Sequence, residues 1–144
     1  ALEAAFYRAG GAGLTETNGK MARVYLRDAW RYELGKGWRR MADLPKPSVA
    51  APSPAPAIGN RFYILGGDDG SRVGFQPIEQ HPGFPKTILV YDAKANTWSE
   101  AGEVPASRAT TPTVQWGKLF IIPSGEARPG VRSPEVWGFE IAHP

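Results

Sequence analysis

Glu126 is the residue to which chemistry attaches first. It lies in "IIPSGEARPGVRSPEVW" (121–137), a carboxylate with Arg128 and Arg132 just after it and Arg108 upstream. Guanidinium groups close to one another can hold an anion, because each is a permanent charge whose fork of N–H donors matches a carboxylate bidentately. The plainer alternative is a solvated loop residue in a stretch that has drifted. A second group lies in "DDGSRVGFQPIEQHPGFPK" (68–86), where His81 and Arg72 accompany Phe75 and Phe84. A loop packing its own Phe residues is the plainer account there, with Asp68 and Glu79 read as solvated and His143, near the end of the chain, as idle.

Composition narrows the chemistry. The chain has 144 residues, 42% of them hydrophobic and 22% charged, which suits one globular domain with a real core. There is no cysteine, so disulfides, thiolate nucleophiles and Cys-ligated metals are excluded. Net charge is only +3, and no Lys/Arg run is interleaved with aromatics, so nucleic acid is not the expected partner. No apolar run approaches the ~20 residues a membrane helix needs. The sequence starts at Ala1 and shows no basic segment followed by an apolar one, so an export signal is expected to be absent or already removed.

What would hold these groups in place is a set of short strands. Gly and Pro number 17 and 14 and interrupt nearly every helical window. β-type runs remain: "AAFY" (4–7), "RFYIL" (61–65), "TILVY" (87–91), "TVQWGKLFII" (113–122) and "EVWGFEI" (135–141). They repeat. Gly10-Gly11 recurs 56 residues on as Gly66-Gly67; Tyr32, Trp38 and Pro45 recur as Tyr91, Trp98 and Pro105 after 59, 60 and 60 residues. A third, partial copy has "GKLFIIPSGE" as its Gly-Gly strand and "EVWGFEI" as its Tyr-Asp strand.

Strand, Gly-Gly, variable loop, x-Tyr-Asp, turn, Trp and Pro in that order resemble a kelch-type β-propeller, most closely in "ILVYDAKANTW". The expected fold is therefore all-β, with about three four-stranded blades over residues 1–48, 49–105 and 106–144. In such a blade Asp92 and Asn96 suit the turn through side-chain hydrogen bonds to backbone, and Trp98 packs between neighbouring blades. Propellers usually have about 4–8 blades, so three form part or half of a ring, six-bladed by the arithmetic. An open arc would leave two apolar faces in water. The expected partners are further blades, from a missing segment or from a second copy in a homodimer.

"SGEARPGVRSPEVW" is in turn similar to the Gly-Glu-x-(Lys/Arg)-Pro-Gly-x-Arg block of the sialic acid mutarotases, also called N-acetylneuraminate epimerases, which are six-bladed kelch proteins. The resemblance implies a mutarotase, an isomerase acting on an acidic sugar such as N-acetylneuraminate. It makes Glu126 the proton acceptor and Arg132, with Arg128, the clamp on the substrate carboxylate, both side chains facing the channel mouth. His81 would line the pocket as a second proton carrier. No metal or cofactor is required, and the family implies a periplasmic or secreted protein. The competing expectation is a non-catalytic kelch module that binds a protein or glycan. Two other propeller chemistries fit poorly: a copper oxidase with a Cys–Tyr cross-link lacks its cysteine, and the sialidase Asp-box does not recur.

Overall fold

A computed structural model describes residues 2 and 4–142, and every strand pairing in it is antiparallel. Three sheets follow one another along the chain. The first contains β1 (Ala5–Ala9), β4 (Ala29–Glu33) and β5 (Gly37–Arg40), with a hairpin of β2 (Ala12–Thr17) and β3 (Lys20–Tyr25) inserted after β1. The middle sheet is four-stranded, in the order β6 (Ala57–Ile58), β7 (Arg61–Leu65), β8 (Thr87–Asp92), β9 (Thr97–Glu103). Its insertion, between β7 and β8, carries a short 3-10 turn, Ile78–Gln80. The third comprises β10 (Val114–Trp116), β11 (Leu119–Pro123) and β14 (Val136–Phe139), with a small hairpin of β12 (Glu126–Arg128) and β13 (Val131–Arg132) between the last two. No helix among the described residues is long and apolar enough to cross a membrane.

Two sheets thus have three strands rather than the expected four. The run "TVQWGKLFII" is also two strands, not one. Gly117 takes φ +60°, and the chain folds back so that Trp116 pairs with Leu119. Gly59 does the same between β6 and β7, again at φ +60°. Positive φ at the first turn position only is the sign pattern of a II′ hairpin turn, which glycine allows without steric cost.

Each insertion leaves its sheet through a left-handed pair of residues. Gly10 and Gly11 have φ +65° and +100°, Gly66 and Gly67 +72° and +90°, and Ser124 and Gly125 +56° and +104°. The third pair therefore keeps the backbone of the other two although a serine stands first. Ser124 Oγ donates to the Ser133 carbonyl at 2.8 Å, which holds the hairpin's return strand against the turn.

The sheets pack face to face, and alternation along β7 shows how. Phe62 and Ile64 join Ala29, Met41, Leu44, Leu89 and Tyr91 between the first and middle sheets. Tyr63 and Leu65 point the other way and join Val104 and Ile122 between the middle and third sheets. A strand buried on both faces needs a continuous apolar run, which "FYIL" supplies. Trp98 packs against the first cluster and donates its indole N–H to the Ala42 carbonyl at 2.8 Å. Asp92 Oδ1 accepts the Lys94 and Ala95 N–H groups at 2.9 and 3.0 Å, closing the expected turn, and these bonds, Ala95 first, hold its carboxyl below the ordinary value. Asn96, at φ +53°, does something else. Its Oδ1 accepts the Ala42 N–H (2.9 Å) and the Tyr91 O–H (2.7 Å), tying one sheet to the next. Asn96→Ala is expected to lower stability by about 1–2 kcal/mol, from lost hydrogen bonds and a methyl in a left-handed backbone. Asn96→Gly removes only the second penalty, and urea unfolding midpoints of the two variants should differ accordingly.

The outer faces of the arc remain apolar. On the first sheet Phe6 is 67% exposed and Trp38 57% exposed, in the places that Phe62 holds in the core of the middle one and Trp98 holds against it. On the third, Val114, Trp116 and Val136 are exposed.

Candidate functional site

The three insertions converge. Arg23 and Tyr25 from β3, Asp68, Asp69, Arg72, Phe75, His81 and Phe84 from the middle insertion, and Glu126 and Pro129 from the third line one cavity of about 380 Å³. A larger cavity of about 440 Å³ lies elsewhere, against Phe6, Tyr7, Pro52 and Phe62, and has no charged residue in its lining. Of these two, the smaller is the one lined by charged groups, and acid–base or ionic chemistry is open to it.

Glu126 is held by its backbone and by one oxygen. Its N–H and carbonyl exchange bonds with Ala109 at 2.8 and 2.9 Å, pinning it to the segment that enters the third sheet. Oε1 accepts the Gly130 N–H at 2.6 Å across the β12–β13 turn. No donor among the described residues reaches Oε2. A half-buried carboxylate with one oxygen anchored and the other unpaired is oriented and still able to take a proton.

The arginines differ in their employment. Arg132 stands opposite Glu126 in the hairpin register, so the two share a face with Cβ atoms about 5 Å apart. It is exposed, has no ion-pair partner among the described residues and does not line the cavity. Arg128 is also outside the lining, and its Nη1 donates to the Glu79 carbonyl at 2.5 Å, joining the third insertion to the middle one. Arg108 is turned away into packing. It is only 5% exposed, ion-paired to Glu135, and bonded to Ser133 Oγ at 3.1 Å and the Ser107 carbonyl at 2.9 Å, behind the Ser-Gly turn. The guanidinium groups that do border the cavity are Arg23 and Arg72. Arg72 also donates to the Gly83 carbonyl at 2.6 Å.

His81 lines the cavity while packed between Phe75 and Phe84, with ring centroids 5.3 and 6.2 Å away. It is 5% exposed, and its Nδ1 accepts the Gly83 N–H at 3.0 Å. A ring proton in that tautomer sits on Nε2. The side chain therefore packs within its own loop and borders the cavity at the same time.

Asp68 differs most from its sequence reading. It is half-buried, Oδ1 accepts the Gly70 N–H at 2.9 Å, and Oδ2 accepts the Tyr25 hydroxyl at 3.1 Å. Burial raises the Tyr25 phenol above its ordinary value of 10.0, opposed by the neighbouring Arg23 and reinforced by Asp68, so it keeps its proton at neutral pH. Both Tyr25 and Arg23 went unread in the sequence, since they lie on a hairpin outside the repeat pattern.

No protein-family model matches the chain. The solved structure of YjhT superposes on it with a TM-score of 0.76 at 20% identity, over 96% of this chain and 47% of that one. A sequence relative, the N-acetylneuraminate epimerase of Yersinia enterocolitica, is 24% identical over 95% of this chain and 41% of its own length. This chain is an arc of β-propeller blades, and it resembles the N-acetylneuraminate epimerases. The enzyme of that name from Salmonella typhimurium is 36% identical over 55 residues, 38% of this chain and 14% of the relative. The chain thus spans less than half the length of each of these relatives.

Proposed function

We propose that this chain carries the catalytic carboxylate of a propeller that interconverts the anomers of an acidic sugar such as N-acetylneuraminate. The observation that carries the reading is Glu126, fixed by Ala109 and Gly130 at the edge of a polar cavity, with one oxygen unpaired among the described residues. The names of the relatives supply the substrate class.

In this scheme Glu126 takes the proton of the anomeric hydroxyl, and the bond from the anomeric carbon to the ring oxygen breaks. Its electron pair goes to the ring oxygen, which takes a proton from water. The carbonyl carbon rotates and the ring closes on the other face, as the ring hydroxyl returns its proton to water and Glu126 returns its own to the new anomeric hydroxyl. General acid–base catalysis of this kind contributes about 10²–10⁴-fold. Arg132, with Arg128, is the proposed holder of the sugar carboxylate, and His81 a wall of the pocket and second proton carrier. Further blades, from a longer chain or a second copy, cover the outer faces bearing Phe6, Trp38 and Trp116. A periplasmic or secreted location belongs to the same proposal.

Magnetisation exchange between the α and β anomers of N-acetylneuraminate, followed by proton NMR, tests the reading. The measurement is made on the protein in the assembly that covers those faces. Exchange above the protein-free rate is the expected result. Exchange at the protein-free rate, in folded protein, overturns catalysis and leaves a kelch module that binds a protein or glycan.

A further inference from the structure

We propose that Asp68 is a second recognition carboxylate of this site, a specificity-determining acceptor that holds a hydroxyl or amide N–H of the bound sugar, with Tyr25 fixing its orientation. The inference rests on the anomer-interconverting reading and adds to it a residue that the arginine-rich segment does not contain.

Position is the first argument. Asp68 follows Gly66-Gly67 as Glu126 follows Ser124-Gly125, and each pair has the same left-handed backbone. Each carboxylate residue then forms an antiparallel bridge with the segment entering a sheet, Asp68 with Val49 and Glu126 with Ala109. The first copy has Ala12 at this place, so carboxylates stand at two of the three equivalent positions, and both line the same cavity.

The second argument is how Asp68 is held. Each of its oxygens already takes one donor, Gly70 N–H or Tyr25 O–H. A carboxylate has about four lone-pair sites, so acceptor capacity remains towards the cavity. A methyl at Gly70 would lie 2.8 Å from the Tyr25 ring, so the turn is shaped to let that ring seat against it. Tyr25 spends its hydrogen on Asp68 and keeps it at neutral pH, which locks the pair as acceptor. Glu126 instead has an oxygen that no donor among the described residues reaches. The two equivalent positions thus divide the work, Glu126 moving a proton and Asp68 binding one that stays on the ligand. A ligand carboxylate is repelled by Asp68, which favours a pose with a hydroxyl-bearing side of the sugar, not its anionic end, against that carboxylate.

The test compares wild type, Asp68→Asn and Tyr25→Phe by anomer exchange of N-acetylneuraminate over a range of concentrations. Asp68→Asn should raise KM about tenfold to a hundredfold, the loss expected for a hydrogen bond to a charged acceptor, with kcat within about threefold of wild type. Tyr25→Phe should raise KM by less, and it carries the test if thermal unfolding shows Asp68→Asn to be unfolded. Unchanged KM in an active protein overturns the role of Asp68 and leaves the function standing, as does a kcat loss at constant KM. A wild type that neither binds nor interconverts the sugar overturns the functional reading, and this role with it.

Discussion

Glu126→Gln should reduce catalysed anomer exchange by about 10²–10⁴-fold while leaving the fold and KM nearly unchanged. The amide is almost the size of the carboxylate, and its oxygen can still accept the Gly130 N–H that orients the side chain. The backbone bridge to Ala109 does not involve the side chain at all. What the amide lacks is the ability to take a proton from the anomeric hydroxyl, so the loss falls on the chemical step and not on binding. Equal exchange rates for variant and wild type would remove Glu126 from the mechanism. A rise in KM at constant kcat would make it a binding residue instead. Circular dichroism and an unfolding midpoint within experimental error of wild type complete the measurement.

Gly66→Ala should destabilise the protein by about 3 kcal/mol, with Gly59→Ala costing about 1 kcal/mol. Both glycines have positive φ, +72° and +60°, so both variants bear the left-handed penalty of a Cβ. Only Gly66 adds a collision. Its Cβ would lie 2.5 Å from Ser107 Oγ and 2.7 Å from the Pro85 carbonyl oxygen, whereas nothing stands within 4 Å of one on Gly59. The hydroxyl can rotate away, but the carbonyl belongs to backbone that returns the middle insertion to β8, so the insertion itself must shift. The measurement is the urea midpoint of each variant. Equal losses would show that the turn is tolerant and that the Gly-Gly pair serves only local conformation. If Gly66→Ala folds, its displaced insertion should also weaken sugar binding, because Asp68, His81 and Phe84 line the cavity from the same segment.

Much of the scaffold was readable because its signals are local. "RFYIL" coincides with β7, since a strand buried on both sides must be apolar throughout. The Tyr-Asp-turn-Trp pattern marked Asp92 as a turn acceptor and Trp98 as an anchor between sheets, and both are found in those roles. The β2–β3 hairpin went unread although its signal is present. Asn18 and Gly19 both have positive φ and join two strands in register from Thr17–Lys20 to Ala12–Tyr25. An Asn-Gly pair is among the strongest hairpin cues, but the flanking "AGLTET" is too polar and too exposed to show a buried face. Asp68 was likewise within reach. Aligning Gly66-Gly67-Asp68 with Ser124-Gly125-Glu126 puts the two carboxylates at one position of the repeat, a comparison that reading Asp68 as solvated had passed over.

By itself the sequence determined the all-β architecture, the repeat, the Asp92 turn and the Trp98 anchor. Each of these depends on residue type and on spacing within a few tens of residues. The tertiary structure alone decided which charges meet. Arg108, Arg128 and Arg132 lie within 25 residues of one another, yet one is buried against Glu135, one is bonded to the Glu79 carbonyl and one is exposed beside Glu126. Tyr25, Asp68 and Glu126 are far apart in the chain and line one cavity. The physical reason is the packing of sheet on sheet. It brings the insertion of every blade to the same edge, while the direction each side chain takes there is set by backbone carbonyls and neighbouring loops that no spacing rule encodes.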